Sequence, residues 1–181
     1  TKNVRAIQRI LRSASDRSSP FFLFTNFMDP HRPYTPPASY QRAQFGTQLP
    51  RREIHRLNET VADPWAFIRR VEDGTVDKED LEAIRTLYTG EVEFLDEQLG
   101  MVLEELQSRE LYQDTLVIVT ADHGENLGEP DERGVLRMGH EASVSDNLLR
   151  VPLIVANPRL NGRVVEEYVS IKDLYRLVLA V

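Results

Sequence analysis

The stretch Thr115-Leu-Val-Ile-Val-Thr-Ala-Asp122-His123-Gly124-Glu125 constrains this chain more than any other. An unbroken apolar run of that length is the pattern of an interior strand, typical of a parallel sheet covered on both faces. Here the run ends directly in an acid, an imidazole and a glycine. Open α/β sheets place their ligands just past the carboxyl ends of such strands. Asp122 and His123 therefore stand where a site would form. Carboxylate oxygen and imidazole nitrogen are a common pair of metal donors. The competing reading is a plain polar turn in which Asp122 caps the next segment. The pair alone does not choose between the two.

The rest of the chain alternates helices with strands. Val4, Ile7, Ile10 and Leu11 share one helical face, and Ser18-Ser19-Pro20 ends that helix. Phe21 to Phe27 reads as a second buried strand. A proline-rich loop follows, from Asp29 to Pro37, and its prolines hold it to a defined path. Trp65, Phe67, Ile68 and Val71 predict a short helix. A stripe running from Leu81 to Leu106 predicts a long helix over roughly 78–109, with Asp77 at its N-cap. Gly90 is a point at which that helix could bend, and its acids Glu91, Glu93, Glu97, Glu104 and Glu105 read as solvent surface. Residues 124–140 read as a long loop, Ser143 to Leu149 as a helical turn, Val151 to Ala156 as a third buried strand, Val164 to Ser170 as an edge strand, and 171–181 as the start of a helix. The expected fold is α/β, with a mainly parallel sheet flanked by helices. Three strands are few for such a sheet, so residues 1–181 are expected to form one incomplete domain, a fragment that starts inside a larger unit.

Charge and composition narrow the partners. A net charge of −7 argues against a nucleic-acid partner held by a basic surface. No apolar stretch approaches the roughly 20 residues of a bilayer span, and the first residues lack the apolar centre of a signal peptide. With no cysteine there is no thiolate ligand and no thiol nucleophile among these residues. The compartment is left open.

Of the four histidines, His31 follows the first strand, His123 follows the second, and His140 lies on the loop before the third. If the strands are parallel neighbours, His31 and His123 share one rim of the sheet, and His140 returns to it. His55 sits in a charged, helix-like stretch and reads as surface. Imidazoles can hydrogen-bond an anion or act as general acids near neutral pH. Asp122 and His123 would supply two ligands to a cation, which needs others. Asp29, Glu125, Glu129 and Asp131 are near in sequence without diagnostic spacing. An oxyanion held between a divalent metal and imidazoles suits hydrolysis of a sulfate or phosphate ester. No residue is an evident nucleophile: there is no Gly-x-Ser-x-Gly elbow and no phosphate-binding loop.

Several stretches, in order, resemble the sulfatase family. Pro20-Phe-Phe-Leu-Phe-Thr-Asn-Phe-Met-Asp-Pro-His31-Arg-Pro-Tyr34 is similar to the segment in which a strand delivers a histidine to the substrate sulfate. Tyr88 to Gly100 is similar to the family's long helix. Asp114 to Glu129, with Asp122-His123-Gly124-Glu125, resembles its metal-binding turn. Gly139-His140-Glu-Ala-Ser and Leu149-Arg150-Val-Pro-Leu-Ile-Val155 resemble its later substrate loop and strand, and Val169-Ser-Ile-Lys-Asp-Leu-Tyr the helix start beyond.

The resemblance implies an alkaline-phosphatase-like fold. It implies that Asp122 and His123 bind a divalent cation, calcium in the first place, with manganese, magnesium or zinc as alternatives. It implies that His31 contacts the sulfate and helps protonate the leaving alcohol, and that His140 holds the sulfate. The substrate would be a sulfated small molecule or saccharide. The family nucleophile is a formylglycine made in a Cys/Ser-x-Pro-x-Arg motif, which this sequence lacks, so the chain resembles the C-terminal half of a sulfatase catalytic domain. Two positions depart from the family pattern. Gly128-Glu129-Pro130 stands where Gly-Glu-His is frequent, and Ser145 precedes Asp146 where a tyrosine is frequent. Phosphate or phosphonate ester hydrolysis is the neighbouring alternative. A non-catalytic fragment that binds metal or anion weakly is the alternative of another class, and a half-built sheet would also favour self-association.

Overall fold

The helical stripes fold as their spacing requires. The computed structural model describes residues 2–15, 19–141 and 143–180. Helix α1 (Lys2–Ser15) buries Val4, Ile7 and Leu11, whereas Ile10, expected on the same face, points outward. The helix ends at Ser15, and Ser18 of the expected stop signal lies outside the described residues. The short helix expected around Trp65 to Val71 is α4 (Pro64–Glu72), and two helices precede it that were not expected, α2 (Ala38–Phe45) and α3 (Arg51–Val61). Asp63 caps α4 by accepting the N–H groups of Trp65 and Ala66, with Pro64 in the first turn, where its missing donor costs nothing. Phe67 is then fully buried, while Trp65 faces solvent.

Helix α5 (Lys78–Ser108) is the spine of the molecule. Its N-cap is Asp77, which accepts the N–H of Glu79 at 2.8 Å. Gly90 does not interrupt it. A Cβ there would lie 3.1 Å from Pro36, so the glycine makes room for the proline-rich loop to rest on the helix. Glu91 departs from expectation: it is only 3% exposed, beneath that loop rather than on the solvent face.

Two apolar clusters form along α5. The first half of the helix packs with α3, α4 and the loop through Leu57, Val61, Phe67, Ile84, Leu87 and Tyr34. The C-terminal part packs with α1 through Ile7, Leu11 and Leu106, joined by Leu23, Phe27 and Val117.

The sheet differs most from expectation. β1 (Val117–Thr120) pairs with β4 (Leu153–Ala156) in antiparallel register, Val117 opposite Ala156 and Thr120 opposite Leu153. Residues 124–140, expected as a loop, contain an antiparallel hairpin of β2 (Asn126–Pro130) and β3 (Leu136–Gly139). Both strand pairs among the described residues are antiparallel, so the mainly parallel sheet is not seen here. An apolar run reports burial and not direction. Direction comes from how the chain returns, which is a long-range matter.

Asp131 organises the hairpin turn. One of its oxygens accepts the N–H groups of Arg133 and Val135, each at 2.9 Å, and the other binds Arg137. The short helix α6 (Asp146–Leu149) lies between β3 and β4, and α7 (Leu174–Leu179) follows a 3-10 turn at Ile171–Asp173.

Phe21 to Phe27 and Val164 to Ser170 carry no ladder among the described residues. A strand exists only where a neighbour takes its backbone groups. The first of these segments nevertheless alternates as a strand would, with Leu23 and Phe27 on the α1–α5 cluster and Phe22 and Phe24 facing out. Among the described residues, no helix is long and apolar enough to cross a membrane.

Candidate active site

The turn after β1 is built by a close backbone approach. Gly124 donates its N–H to the Leu148 carbonyl at 2.9 Å. A Cβ on Gly124 would fall 1.8 Å from the Asn147 carbonyl oxygen, so only glycine lets the turn lie against α6. Asp122 accepts the N–H of His123 at 3.1 Å and leaves its carboxylate in solvent. The His123 Nδ1 sits 2.7 Å from the Gly124 carbonyl. A carbonyl can only accept, so the proton of the neutral ring is on Nδ1 and the lone pair is on Nε2. That Nε2 lies 3.9 Å from Asp122 Oδ1.

The two other rim histidines come to the same place. The His140 ring is 4.2 Å from that of His123 and 5.4 Å from that of His31, centroid to centroid. Both repeat the orientation of His123. His31 Nδ1 donates to the Arg32 carbonyl at 2.6 Å, and His140 Nδ1 faces the Glu125 carboxylate at 3.3 Å. Each of the three rings thus spends Nδ1 on an acceptor and makes no hydrogen bond through Nε2, although Glu141 Oε1 stands 4.0 Å from that of His140. His55 lies elsewhere, exposed on α3 beside Glu59.

Buried groups stand behind the rings. The Glu125 side chain is 5% exposed and supports His140 from the inside. Burial, followed by the charge of Glu125, pushes the phenol of Tyr34 well above its ordinary range. Glu91 accepts the Thr35 N–H at 2.6 Å, which anchors the loop carrying His31 to α5. Burial holds its carboxyl up at about 7, against the lowering effect of that hydrogen bond. Asn126, 2% exposed, donates to the Gly139 carbonyl and to the Ser143 hydroxyl, both at 2.9 Å, and accepts from the Ser145 hydroxyl at 2.8 Å. Ser145, one of the two departures from the family pattern, therefore ties the later loop to β2. A cleft of about 530 Å³ opens beside Gly124 and Glu125, with Tyr88, Asp146 and Arg150 on its walls.

The donor set at the turn fits part of a cation site. A carboxylate oxygen and an imidazole lone pair 3.9 Å apart fall within the span of two donors held roughly 2.0–2.6 Å from one ion. No group of three or more metal-ligating side chains is assembled among the described residues. Two carboxylates that were near in sequence are occupied elsewhere, Glu129 on the Leu127 N–H and Asp131 in the hairpin turn.

Glu91, Glu125, Arg32 and Asn126 were not marked as site residues by sequence reasoning. Only Glu125, beside the Asp-His-Gly turn, carried a usable signal. The burial of the others depends on which loop covers them.

Three imidazoles, exposed to half-buried, thus gather beside an acid–histidine turn, and comparison with known proteins gives the family of the chain. The family model "Sulfatase" matches residues 2–181. The chain belongs to the sulfatase family, within the alkaline-phosphatase-like superfamily.

Iduronate 2-sulfatase of Mus musculus is 31% identical over 164 residues, covering 83% of this chain and 29% of that protein. An arylsulfatase of Clostridium perfringens is 26% identical over 180 residues, covering 91% and 34%. The multifunctional alkaline phosphatase superfamily protein PehA of Trinickia caryophylli is 26% identical over 178 residues, covering 88% and 34%. The chain spans about a third of the length of these curated relatives.

Proposed function

We propose that this chain is part of a metal-dependent hydrolase of sulfate esters and carries the substrate-facing imidazoles and half of the cation site. The observation that carries the reading is the common orientation of His31, His123 and His140, each with Nδ1 engaged and Nε2 unspent, beside the Asp122 carboxylate. Asp122 and His123 would hold the divalent cation, calcium before manganese, magnesium or zinc. When bound, such a cation neutralises charge on the ester oxyanion and polarises the bond to be broken.

As an imidazolium, with Nδ1–H still on the Arg32 carbonyl, His31 would donate its Nε2 proton to the departing alcohol oxygen as the bond of that oxygen to sulfur breaks. His140, likewise as an imidazolium with Nδ1–H on Glu125, would donate from Nε2 to a sulfate oxygen. The nucleophile is not among these residues. A formylglycine is the group that the family resemblance implies. The mainly parallel sheet belongs to the same proposal: Phe21 to Phe27, whose Leu23 and Phe27 pack near Val117, would supply the strand beside β1.

The relation to a multifunctional phosphatase-superfamily protein favours one second reading, phosphate or phosphonate ester hydrolysis at the same rim. The 181 residues alone would be catalytically silent and able to pair with themselves through the uncovered sheet.

Asp122→Ala in the intact protein tests the reading. Turnover of an aryl sulfate should fall by more than roughly 100-fold, together with loss of bound metal. Near-normal turnover and metal content would refute the assignment.

A further inference from the structure

The two histidines proposed to meet the sulfate come from loops more than a hundred residues apart, and the residue after each one joins them. Arg32 follows His31, and Glu141 follows His140. Arg32 Nη2 lies 2.5 Å from Glu141 Oε1. Nη1 of the same guanidinium donates to the Val61 carbonyl at 2.5 Å and to the Ala62 carbonyl at 3.3 Å, at the C-terminus of α3. There it also meets the negative end of the helix. The Arg32 side chain is 12% exposed and that of Glu141 47%, so the guanidinium is packed while the carboxylate reaches it from the solvent side. Glu141 is likewise engaged at both ends: its Oε2 accepts the His140 N–H at 3.2 Å. Burial works against its ionisation, yet Arg32 and the neighbouring donors outweigh that, and the carboxyl titrates below its ordinary range.

The backbone of the second loop is shaped to receive the guanidinium. Gly139 has φ +76°, and a Cβ there would lie 2.9 Å from Arg32 Nη2 and 2.8 Å from Glu141 Oε2. Arg32 therefore lies where any other residue at 139 would place its side chain. Lysine could not replace this arginine, because the two arms of the fork serve different partners.

We propose that Arg32 and Glu141 form a latch, anchored on the end of α3, that sets the separation of His31 from His140 and so the width of the oxyanion seat. The latch rests on the functional reading above only for its consequence in catalysis. Its geometry is independent of that reading. Both residues act through the histidines and are positioning residues.

The test uses the intact protein with Glu141→Ala, Arg32→Lys and the double variant, and 4-nitrophenyl sulfate as the probe. Each single change should lower kcat roughly tenfold, because a displaced imidazole no longer meets the reacting atoms. The double variant should be no worse than the weaker single, because the two residues act as one unit. Effects that multiply, or an unchanged kcat in Glu141→Ala, would overturn the latch.

Imidazole NMR separates this from a general loss of structure and from failure of the functional reading. Glu141→Ala should shift the ring resonances of both His140 and His31 and leave those of His55 in place. A His31 ring that does not move would refute the latch even if activity fell. A wild-type protein that hydrolyses no sulfate ester would sink the functional reading alone, and the ring resonances would then decide the latch.

Discussion

The two ends of α5 treat their apolar residues differently. Around its first half, Phe67, Leu87, Val61 and Tyr34 are fully enclosed, and the histidine-bearing loops are pinned over that core. In the unpaired segment Phe21 to Phe27, which meets the C-terminal part of α5, and in the last segment of the chain, Phe22 is 75% exposed, Phe24 80% and Tyr168 90%. The difference is one of kind of structure. Helices satisfy their own backbones and need only a neighbour for one stripe, so α3, α4 and α5 close a core among themselves. An interior strand of a parallel sheet needs partners on both edges and cover on both faces. β1 has one ladder partner, β4, and Phe21 to Phe27 has none among the described residues. The proposed site sits on the well-packed side, and its histidines are positioned although the sheet is not covered.

This contrast can be broken by mutation. Phe67→Ala should give the largest loss, about 3–5 kcal/mol of stability, because it empties a fully enclosed ring position. A loss under about 1 kcal/mol in denaturant titration would mean that the core near the site is loose.

Glu91→Gln sharpens the comparison through pH. The folded-state carboxyl is raised to about 7, from an ordinary value of 4.5. Below that ordinary value the acid is protonated whether folded or unfolded. Between 4.5 and about 7 the folded state holds the proton that the unfolded state has lost, so stability contributed by the neutral acid declines as pH rises through this window. The glutamine variant should lack that decline and should be more stable than wild type at pH 8, by on the order of 2 kcal/mol. Parallel stability–pH curves for the two proteins would show that Glu91 is not held neutral.

Phe24→Ser should have the smallest effect on folding, within about 0.5 kcal/mol. It should also reduce self-association in sedimentation velocity. A cost comparable to that of Phe67→Ala would mean that the outer face is covered in solution.

Legibility in the sequence divides along similar lines. The apolar spacing of α5 and its Asp77 cap were readable to within a residue or two, because both are set by contacts four residues apart. The Asp122-His123-Gly124 turn was readable because a strand pattern ends at it. Glu91 was misread as surface, since nothing local distinguishes it from Glu93. Its burial follows from Pro36 settling on Gly90 and Thr35 reaching across. The hairpin within 124–140 was missed because its turn is held by Asp131 and Arg137 rather than by a familiar two-residue signal.

By itself, the sequence determined the helices with a clear apolar stripe, α1, α4 and α5, the acid–histidine turn at the end of an apolar strand, and family membership through the order of its motifs. Only the tertiary structure decided that β1 and β4 run antiparallel, that Glu91 is buried, that Glu125 backs His140, and that Arg32 meets Glu141 across more than a hundred residues. The physical reason is range. Helical hydrogen bonds and caps close within a few residues and leave a periodic trace. Strand direction, the burial of a charge and the meeting of two loops depend on partners whose positions no local pattern encodes.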